Sequence, residues 1–526
     1  MPVMTKDEKD SYDLHLINGD VHTTPEEKQS FLTHKNDTDM HMSQAERDKL
    51  NTIDSIADRA ESAELAAQDS AAISQAAAAE LANYISMTSL ERALPGELGF
   101  SIEACPETVP YAVLGLAPMA GTNSPGSDEF GNYIYTDGSI VCFAARKWYR
   151  IGHVDSPRYA EYGANAIDIE PAYAFSDEAE ANASGYALHR AFIDGGYMKD
   201  GFFIDKYTAS KKATDANVAV SVKNGIPISL TTDANYTNSS GMTDCVGQLY
   251  DAVTLCRARG AGWNVSTSFM KAWLLIASIA HGQAATSTTE CAWYDPTGVN
   301  NFPKGCNNGS LSDSVDSSVV YDTAGDTGAA GKPKTGSAGE FSKTTHNGCA
   351  NGVADLNGGM WEVDIGITNF GTSATASTQI LEDTIYVLKQ SVALADLTGD
   401  FDTATSIWGT EVNIADKYDL VSAPIPLGST AGAWVYWGNG VNAVLDNATS
   451  GPGRDLCGIL PKNIDGLGGS NLFGNDGIYK YNRQNMFVRS CGYWYFGGSA
   501  GLSARHFNYY RTYSHYTTGF RGGAYA

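Results

Sequence analysis

Oxygen ligands gather most densely in one block, Asn347-Gly348-Cys349-Ala350-Asn351-Gly352-Val353-Ala354-Asp355-Leu356-Asn357-Gly358-Gly359-Met360-Trp361-Glu362, with Asp364 just beyond it. Asp355, Asn357, Glu362 and Asp364 could contribute to the roughly six to eight oxygens of a structural calcium site. The metal-free alternative is a glycine-rich turn locked by a buried Trp361. Thiols offer less. The nine cysteines, at 105, 142, 245, 256, 291, 306, 349, 457 and 491, form no CxxC pair and read as mostly reduced small hydrophobes. Cys291–Cys306 and Cys306–Cys349 are the pairings worth testing. Short-spaced zinc ligand pairs are absent, as are GxSxG, P-loop and HExxH patterns. His346, His506 and His515 are scattered. A polysaccharide hydrolase needs only two carboxylates, which 60 acidic residues leave open.

The other chemistry on offer is recognition. From Phe487 to Arg521 the chain reads FVRSCGYWYFGGSAGLSARHFNYYRTYSHYTTGFR, and between Tyr493 and Thr518 it lacks Lys, Glu, Gln, Asp, Met, Val and Ile. Tyrosine offers a large amphipathic ring with few torsions to freeze, and Ser, Asn and Gly supply adaptable hydrogen bonds around it. The candidate ligand contacts are Tyr493, Tyr495, Phe496, Ser499, His506, Asn508, Tyr509, Tyr510, Tyr513, His515, Tyr516 and Thr517. Trp494, Ala500, Gly501, Leu502, Phe507, Arg511, Gly519, Phe520 and Arg521 read as scaffold. Replacing adenines in an asparagine AAC codon yields Tyr, His, Ser, Thr, Phe, Gly or Arg and never Lys, Glu, Gln, Met or Trp, which matches the remaining positions. The alternative is that these aromatics fill a β-rich core. Tyr509, Tyr510, Tyr513 and Tyr516 are spaced too closely to point inward together.

The W-x-x-G-x-x-A-G-L block at 494–502, the aromatic run after it and the closing T-G-F-R at 518–521 resemble the variable region of diversity-generating retroelement target proteins. That family includes the phage major tropism determinant and has a C-type-lectin fold of the formylglycine-generating-enzyme branch. The block at 347–362 is similar to the family's N-G-x-x-D-x-x-G-N-x-W-E-W, departing at Gly359 and Val363. The resemblance implies ligand capture by diversified side chains on a fixed backbone, with Trp361 and Glu362 structural, and not catalysis. The related copper oxidase carries its thiols after the element matched here by Trp494, where Tyr495-Phe496-Gly497-Gly498-Ser499 has none. Cys491 stands alone, and copper chemistry needs a sulfur pair.

Elements must position these groups. Gly201 to Tyr207 resembles the early strand of that fold. Leu249 to Cys256 predicts a helix with Cys245, Leu249, Val253 and Cys256 on one apolar face. A second helix is expected from Ser266 to His281, ended by Gly282, with Phe269, Trp273, Ile276 and Ala280 inward. GFSIEACPETVPYAVLGLAP, GNYIYTDGSIVCFAARKWYRIGHV and GYMKDGFFIDKYTASK read as strands and turns. TAGDTGAAGKPKTGSAGEF reads as an insertion-like surface loop.

Towards the N-terminus, Asp20 to Lys28 and Asp39 to Arg47 form a repeat. Each copy has a capping box, Thr24 with Glu27 and Ser43 with Glu46. The repeat resembles segments of phage tail-fibre proteins. His22 and His41 are either solvated pre-cap residues or metal ligands about a three-fold axis. Leu50 to Tyr84, free of Gly and Pro, predicts a helix of about 50 Å. Ile56, Ala60, Ala63, Ala67, Ala77, Leu81 and Tyr84 form a seam able to pair with copies of itself. The trimer expected from it follows from the tail-fibre resemblance.

The fold expected is therefore α+β. Residues 1–49 are an attachment region, 50–94 a coiled-coil stalk, and 95–200 the strand-rich first part of a head. Residues 201–526 are a C-type-lectin-like ligand-binding domain with its variable region at 487–521. The formal net charge of −25 over 526 residues disfavours nucleic acid and anionic membranes as partners. The first residues contain no apolar run suited to a signal peptide, so synthesis in the host cytoplasm and no membrane insertion are expected. The expected partners are a host cell-surface receptor, two further copies of the chain and other tail proteins; the expected location is the virion tail.

Overall fold

The computed structural model describes residues 93–294, 309–313, 316–370, 379–397, 411–428, 432–437, 442–463 and 476–526, together with Gln29, Lys49, Thr52 and Ala67. The chain divides into two units, Met1–Asn83 and Tyr84–Ala526. In the first, Gln29, Lys49, Thr52 and Ala67 are helical. The repeat at 20–47, its capping boxes and histidines, and, Ala67 apart, the seam at 56–84 with its trimer lie outside the described residues, as does Cys306.

The second unit is mixed α+β, with several sheets and few helices. Its two six-stranded sheets use twelve strands, numbered here in chain order. These are β1 Leu116–Pro118, β2 Asn132–Tyr135, β3 Ile140–Ala145, β4 Gly201–Asp205, β5 Trp263–Val265, β6 Trp361–Asp364, β7 Ala433–Tyr436, β8 Gly477–Lys480, β9 Met486–Cys491, β10 Gly501–Tyr510, β11 Thr518–Gly519 and β12 Gly522–Ala524. The first sheet runs β1-β2-β3-β4-β12-β5 and is antiparallel throughout. The second runs β7-β8-β10-β9-β6-β11, with β8–β10 and β6–β11 parallel.

Side-chain alternation along a strand explains why β3 and β4 are apolar on both faces. Phe202 and Ile204 join Cys142 and Ala144 in the main core. Phe203 joins Val141, Phe143 and Ala145 in a second core with Tyr133 and Trp263. The first sheet takes β1–β3 from before residue 200 and its other strands from after it.

The chain's last residues join the two sheets. β11 lies beside β6 in the second, and three residues later β12 lies between β4 and β5 in the first. A Cβ on Gly523 would come 2.8 Å from Met270 Sδ, so a larger residue there would have to displace the Met270 side chain.

Two helices pack on this frame, α1 Asp251–Arg257 and α2 Ser268–Ala284. α1 starts two residues later than expected, and Cys245 and Leu249 precede it, although both are buried. The Asp251 carboxylate organises that approach, accepting from Ser239 Oγ (2.5 Å) and from the Gly247 and Gln248 amides (2.7 and 3.1 Å). α2 is capped by Thr267, whose Oγ1 accepts from Met270 N at 3.1 Å. It passes through Gly282 to Ala284, contrary to the expected stop, and every residue from Ser268 to Gln283 is buried. Packing on all sides outweighs the local propensity penalty of one glycine.

Two further expectations are corrected. The segment 99–118 is mainly turns and a short 3-10 helix, Tyr111–Leu114, with β1 its one named strand. The loop at 323–341 is not a simple surface insertion, because Ala324, Ala329, Lys332, Thr335 and Ala338 are buried within it. Its small residues allow close backbone approach: a Cβ on Gly331 would lie 2.0 Å from the Gly309 carbonyl oxygen. No helix among the described residues is long and apolar enough to cross a membrane.

Candidate binding face

A buried charge network underlies the C-terminal strands. The Arg521 guanidinium meets Glu362 through two hydrogen bonds of 2.7 Å and donates to the carbonyls of Asp205 (2.9 Å) and Ala354 (2.8 Å). Lys271 Nζ, from α2, lies 2.6 Å from Glu362, 2.9 Å from Asp364 and 2.9 Å from Ser490 Oγ. Thr208 Oγ1 donates to Glu362 at 2.7 Å. All four charged side chains are fully buried. Burial alone would raise Glu362, but Arg521 and then Lys271 hold it down to about 2. For Asp364 burial prevails and its carboxyl is raised. Arg521 therefore clamps the crossover from β11 to β12.

Above the clamp, the segment after β10 is held mainly by backbone. The Arg511 amide donates to Asn485 O (3.0 Å), and the Tyr250 and Leu249 amides donate to Arg511 O (3.1 Å) and Tyr513 O (2.9 Å). His515 N donates to Leu230 O (2.7 Å), Leu230 N to Thr518 O (2.8 Å) and Trp361 N to Thr517 O (3.0 Å). None of these bonds depends on side chains. The β9–β10 connection turns on Cys491 (φ 79°) and Gly492 (φ 82°). At Gly501 a Cβ would lie 2.3 Å from both Asp476 carboxylate oxygens, which accounts for glycine there.

The aromatic side chains form a continuous belt. One column runs Tyr479, His506, Tyr509, Tyr513, with successive centroids 4.6, 5.2 and 4.3 Å apart and planes within 26° of each other. A second runs His515, Tyr516, Tyr236, at 5.3 and 4.7 Å, and meets the first where Tyr509 and His515 lie 5.1 Å apart. An arm through Trp434, Phe496, Tyr493 and Tyr495 has spacings of 4.9, 6.0 and 6.1 Å. Tyr495, Tyr516 and Trp434 are its most exposed rings, at 54, 40 and 37 %.

Of the twelve candidate contacts, Tyr495 and Tyr516 are exposed, and Tyr493, Phe496, Ser499, Asn508, Tyr509, Tyr510, Tyr513 and His515 are half-buried. His506 and Thr517 are buried, which removes them from the contact set. His506 is enclosed by Trp361, Trp434, Tyr479 and Tyr509, and Thr517 Oγ1 sits 2.6 Å from His515 Nδ1. Trp361, Glu362, Trp494, Gly501, Phe507, Arg511, Phe520 and Arg521 are buried. Trp494 joins Val319, Tyr321, Ala329, Ala338 and Met360 in a small core against which Tyr236 and Tyr493 pack. Tyr236, Trp434, Tyr479 and Arg489 were missed. The runs Trp434-Val435-Tyr436-Trp437 and Tyr479-Lys480-Tyr481 were the available signal for two of them.

The face is poor in titrating groups at neutral pH. Burial, then Arg489 and His515, push His506 well below the ordinary imidazole range, and burial and Arg489 push His515 down to about 3. The calcium set does not converge either. Glu362 and Asp364 are engaged by buried cations, Asp355 accepts from Gly336 N (2.8 Å) and Thr208 N (3.3 Å), and Asn357 donates to Tyr321 Oη (3.0 Å). A buried Ser101–His346 pair exists, 2.5 Å apart. His346 Nδ1 accepts from Val353 N, which places the imidazole proton on the nitrogen facing Ser101 and leaves no base for its hydroxyl. Burial raises the Cys491 thiol to about 11. No family model matches the chain, and a search of curated proteins found no match.

Proposed function

We propose that the chain is a receptor-binding protein of a phage or prophage tail fibre. In this reading Tyr84–Ala526 is a C-type-lectin-type head of the formylglycine-generating-enzyme branch. Its aromatic belt is a diversified surface that captures a host cell-surface receptor. The N-terminal region serves as a trimeric stalk that attaches to other tail proteins. Three heads on one stalk raise avidity by orders of magnitude, so modest affinity per head suffices.

The observation that carries the reading is the division of labour between 493 and 518. Main-chain hydrogen bonds hold the segment after β10, while Tyr513, Ser514, His515 and Tyr516 project from it, so side chains can change without loss of the path. The buried Arg521 clamp beneath supports the same division. The test is the coding DNA: a near-copy of the region for 493–517 that differs only where it carries adenine, beside a reverse-transcriptase gene, is expected. A locus without them refutes diversification. Saturable binding of the purified chain to bacterial envelope fractions, lost in Y495A/Y516A, tests the receptor role.

A further inference from the structure

The exposed rings of the belt are of two kinds. Tyr516 lies between His515 and Tyr236 with interplanar angles of 11° and 18°, so both its faces are taken. Trp434 and Tyr495 have no ring stacked parallel to them among the described residues. Tyr479 and Phe496 meet Trp434 at 57° and 49°, and Tyr493 and Trp494 meet Tyr495 at 47° and 53°. The two rings stand 37 and 54 % exposed.

Glycine explains how Tyr495 is seated. A Cβ on Gly309 would lie 2.7 Å from Cε1, 2.7 Å from Cζ and 3.0 Å from Oη of that tyrosine, and a point so placed is against the ring's face and not at its rim. Gly309 N donates to Trp494 O at 2.8 Å, which fixes the glycine beneath the ring. Tyr236 lies on Gly328 in the same way, at 2.7, 2.8 and 2.9 Å, but Tyr516 covers its other face. Tyr495 carries no such cover, so its second face is turned to solvent.

Charge narrows what these faces can take. Strand β7, residues 477–483 and residues 493–518 contain no Asp or Glu, so a basic partner finds no carboxylate on the segments that carry the rings. The net charge of −25 opposes an acidic one. A protein anchor fills a pocket, whereas Trp434 and Tyr495 stand out from the surface. The face of an aromatic ring is the negative end of its quadrupole, which suits the positively polarised C–H groups on the flat side of a pyranose. The half-buried Tyr479, Tyr493 and Ser499 stand beside the two rings with hydroxyls that can both donate and accept.

We propose that Trp434 and Tyr495 are stacking plates for the sugar rings of a neutral envelope glycan. This rests on the receptor-binding reading, in which Trp434, outside 493–517, is a constant plate beside a variable one. The test uses the full chain and the bacterial envelope fractions that it binds, treated either with proteinase K or with mild periodate, which cleaves the vicinal diols of sugars. Binding is expected to survive the protease, to be lost after periodate and to change by less than about twofold as NaCl rises. W434L and Y495L keep apolar area but remove the ring, and each is expected to weaken binding by about tenfold. Y495L, at an exposed turn, keeps the test alive if W434L does not fold. Binding lost to proteinase K or resistant to periodate overturns the glycan assignment in favour of a protein receptor, and a steep fall with salt overturns it in favour of a charged partner. Binding unchanged in both Leu variants overturns the plates. Each of these leaves the receptor reading standing, and absence of any saturable envelope binding sinks that reading itself.

Discussion

Replacing Glu362 by Gln preserves shape and removes the one carboxylate that contacts both Arg521 and Lys271. Both cations would remain fully buried, Lys271 with Asp364 beside it and Arg521 with no carboxylate in ion-pair contact among the described residues. Breaking a buried pair from one side costs about 3–5 kcal/mol. An independent route agrees. Glu362 is held at about 2 against an ordinary 4.5, and at about 1.4 kcal/mol per pH unit that difference is worth roughly 3 kcal/mol. Because its folded pKa is depressed, this contribution is present above the unfolded value near 4.5 and is lost as pH falls towards 2. Asp364 is raised and works in the opposite direction, so the informative quantity is wild type minus variant. Guanidinium denaturation followed by tryptophan fluorescence is expected to show E362Q about 3 kcal/mol less stable at pH 7, with the gap closing between pH 4.5 and 2. A variant as stable as wild type at pH 7, or a gap that stays constant with pH, refutes the clamp as a source of stability.

Burial above all lowers His189, His346 and His515 to about 3 and His281 to about 4. Each therefore adds stability that is complete above the unfolded value near 6.5 and fades as pH falls towards the folded one. Thermal scans should show melting temperature dropping progressively below pH 6.5, and a flat profile to pH 4 would contradict their burial as neutral rings. S499A, Y495S and Y516S are expected to change stability by less than about 1 kcal/mol, whereas W494A and F507A should each cost about 3–5 kcal/mol; equal effects in denaturant titrations would remove the distinction between face and frame. K332M breaks hydrogen bonds to Pro227 O (2.7 Å) and Ser229 Oγ (3.0 Å) and the ion pair with Asp326 (2.5 Å), so limited proteolysis should cut the 323–341 loop faster than in wild type. Eight of the nine cysteines are free and buried, so maleimide should label at most Cys306 before denaturation.

Much of the frame was legible because its signals are local. The helix expected from Ser266 to His281 is α2, shifted by two residues at its start and three at its end, and Gly201 to Asp205 is a strand buried on both faces. The residues of the T-G-F-R ending read as scaffold are buried, but residue type does not show what holds them. Arg521 and Glu362 lie 159 residues apart, and nothing in residue type says that one completes the other. His506 was misplaced for a related reason. In β10 every residue from Gly501 to Phe507 is buried, so alternation, which separates inside from outside in a one-sided sheet, carries no information there. The loop at 323–341 deceived by composition, because small residues that suit solvent also suit close packing.

These misses share a physical cause that bears on how such a face can change. Arg489 is tied to Thr518, Trp361 and Tyr509, and Tyr236 meets Tyr516 because Leu230 and His515 pair through backbone. The second layer under the face is thus drawn from strands and loops distant in sequence, and its strongest contacts do not involve the side chains at 495, 499 and 508. Stability resides in the clamp and in the Trp494 core, where charge and volume are constrained. The exposed positions bear little of it. A surface built this way can exchange side chains while its support stays constant.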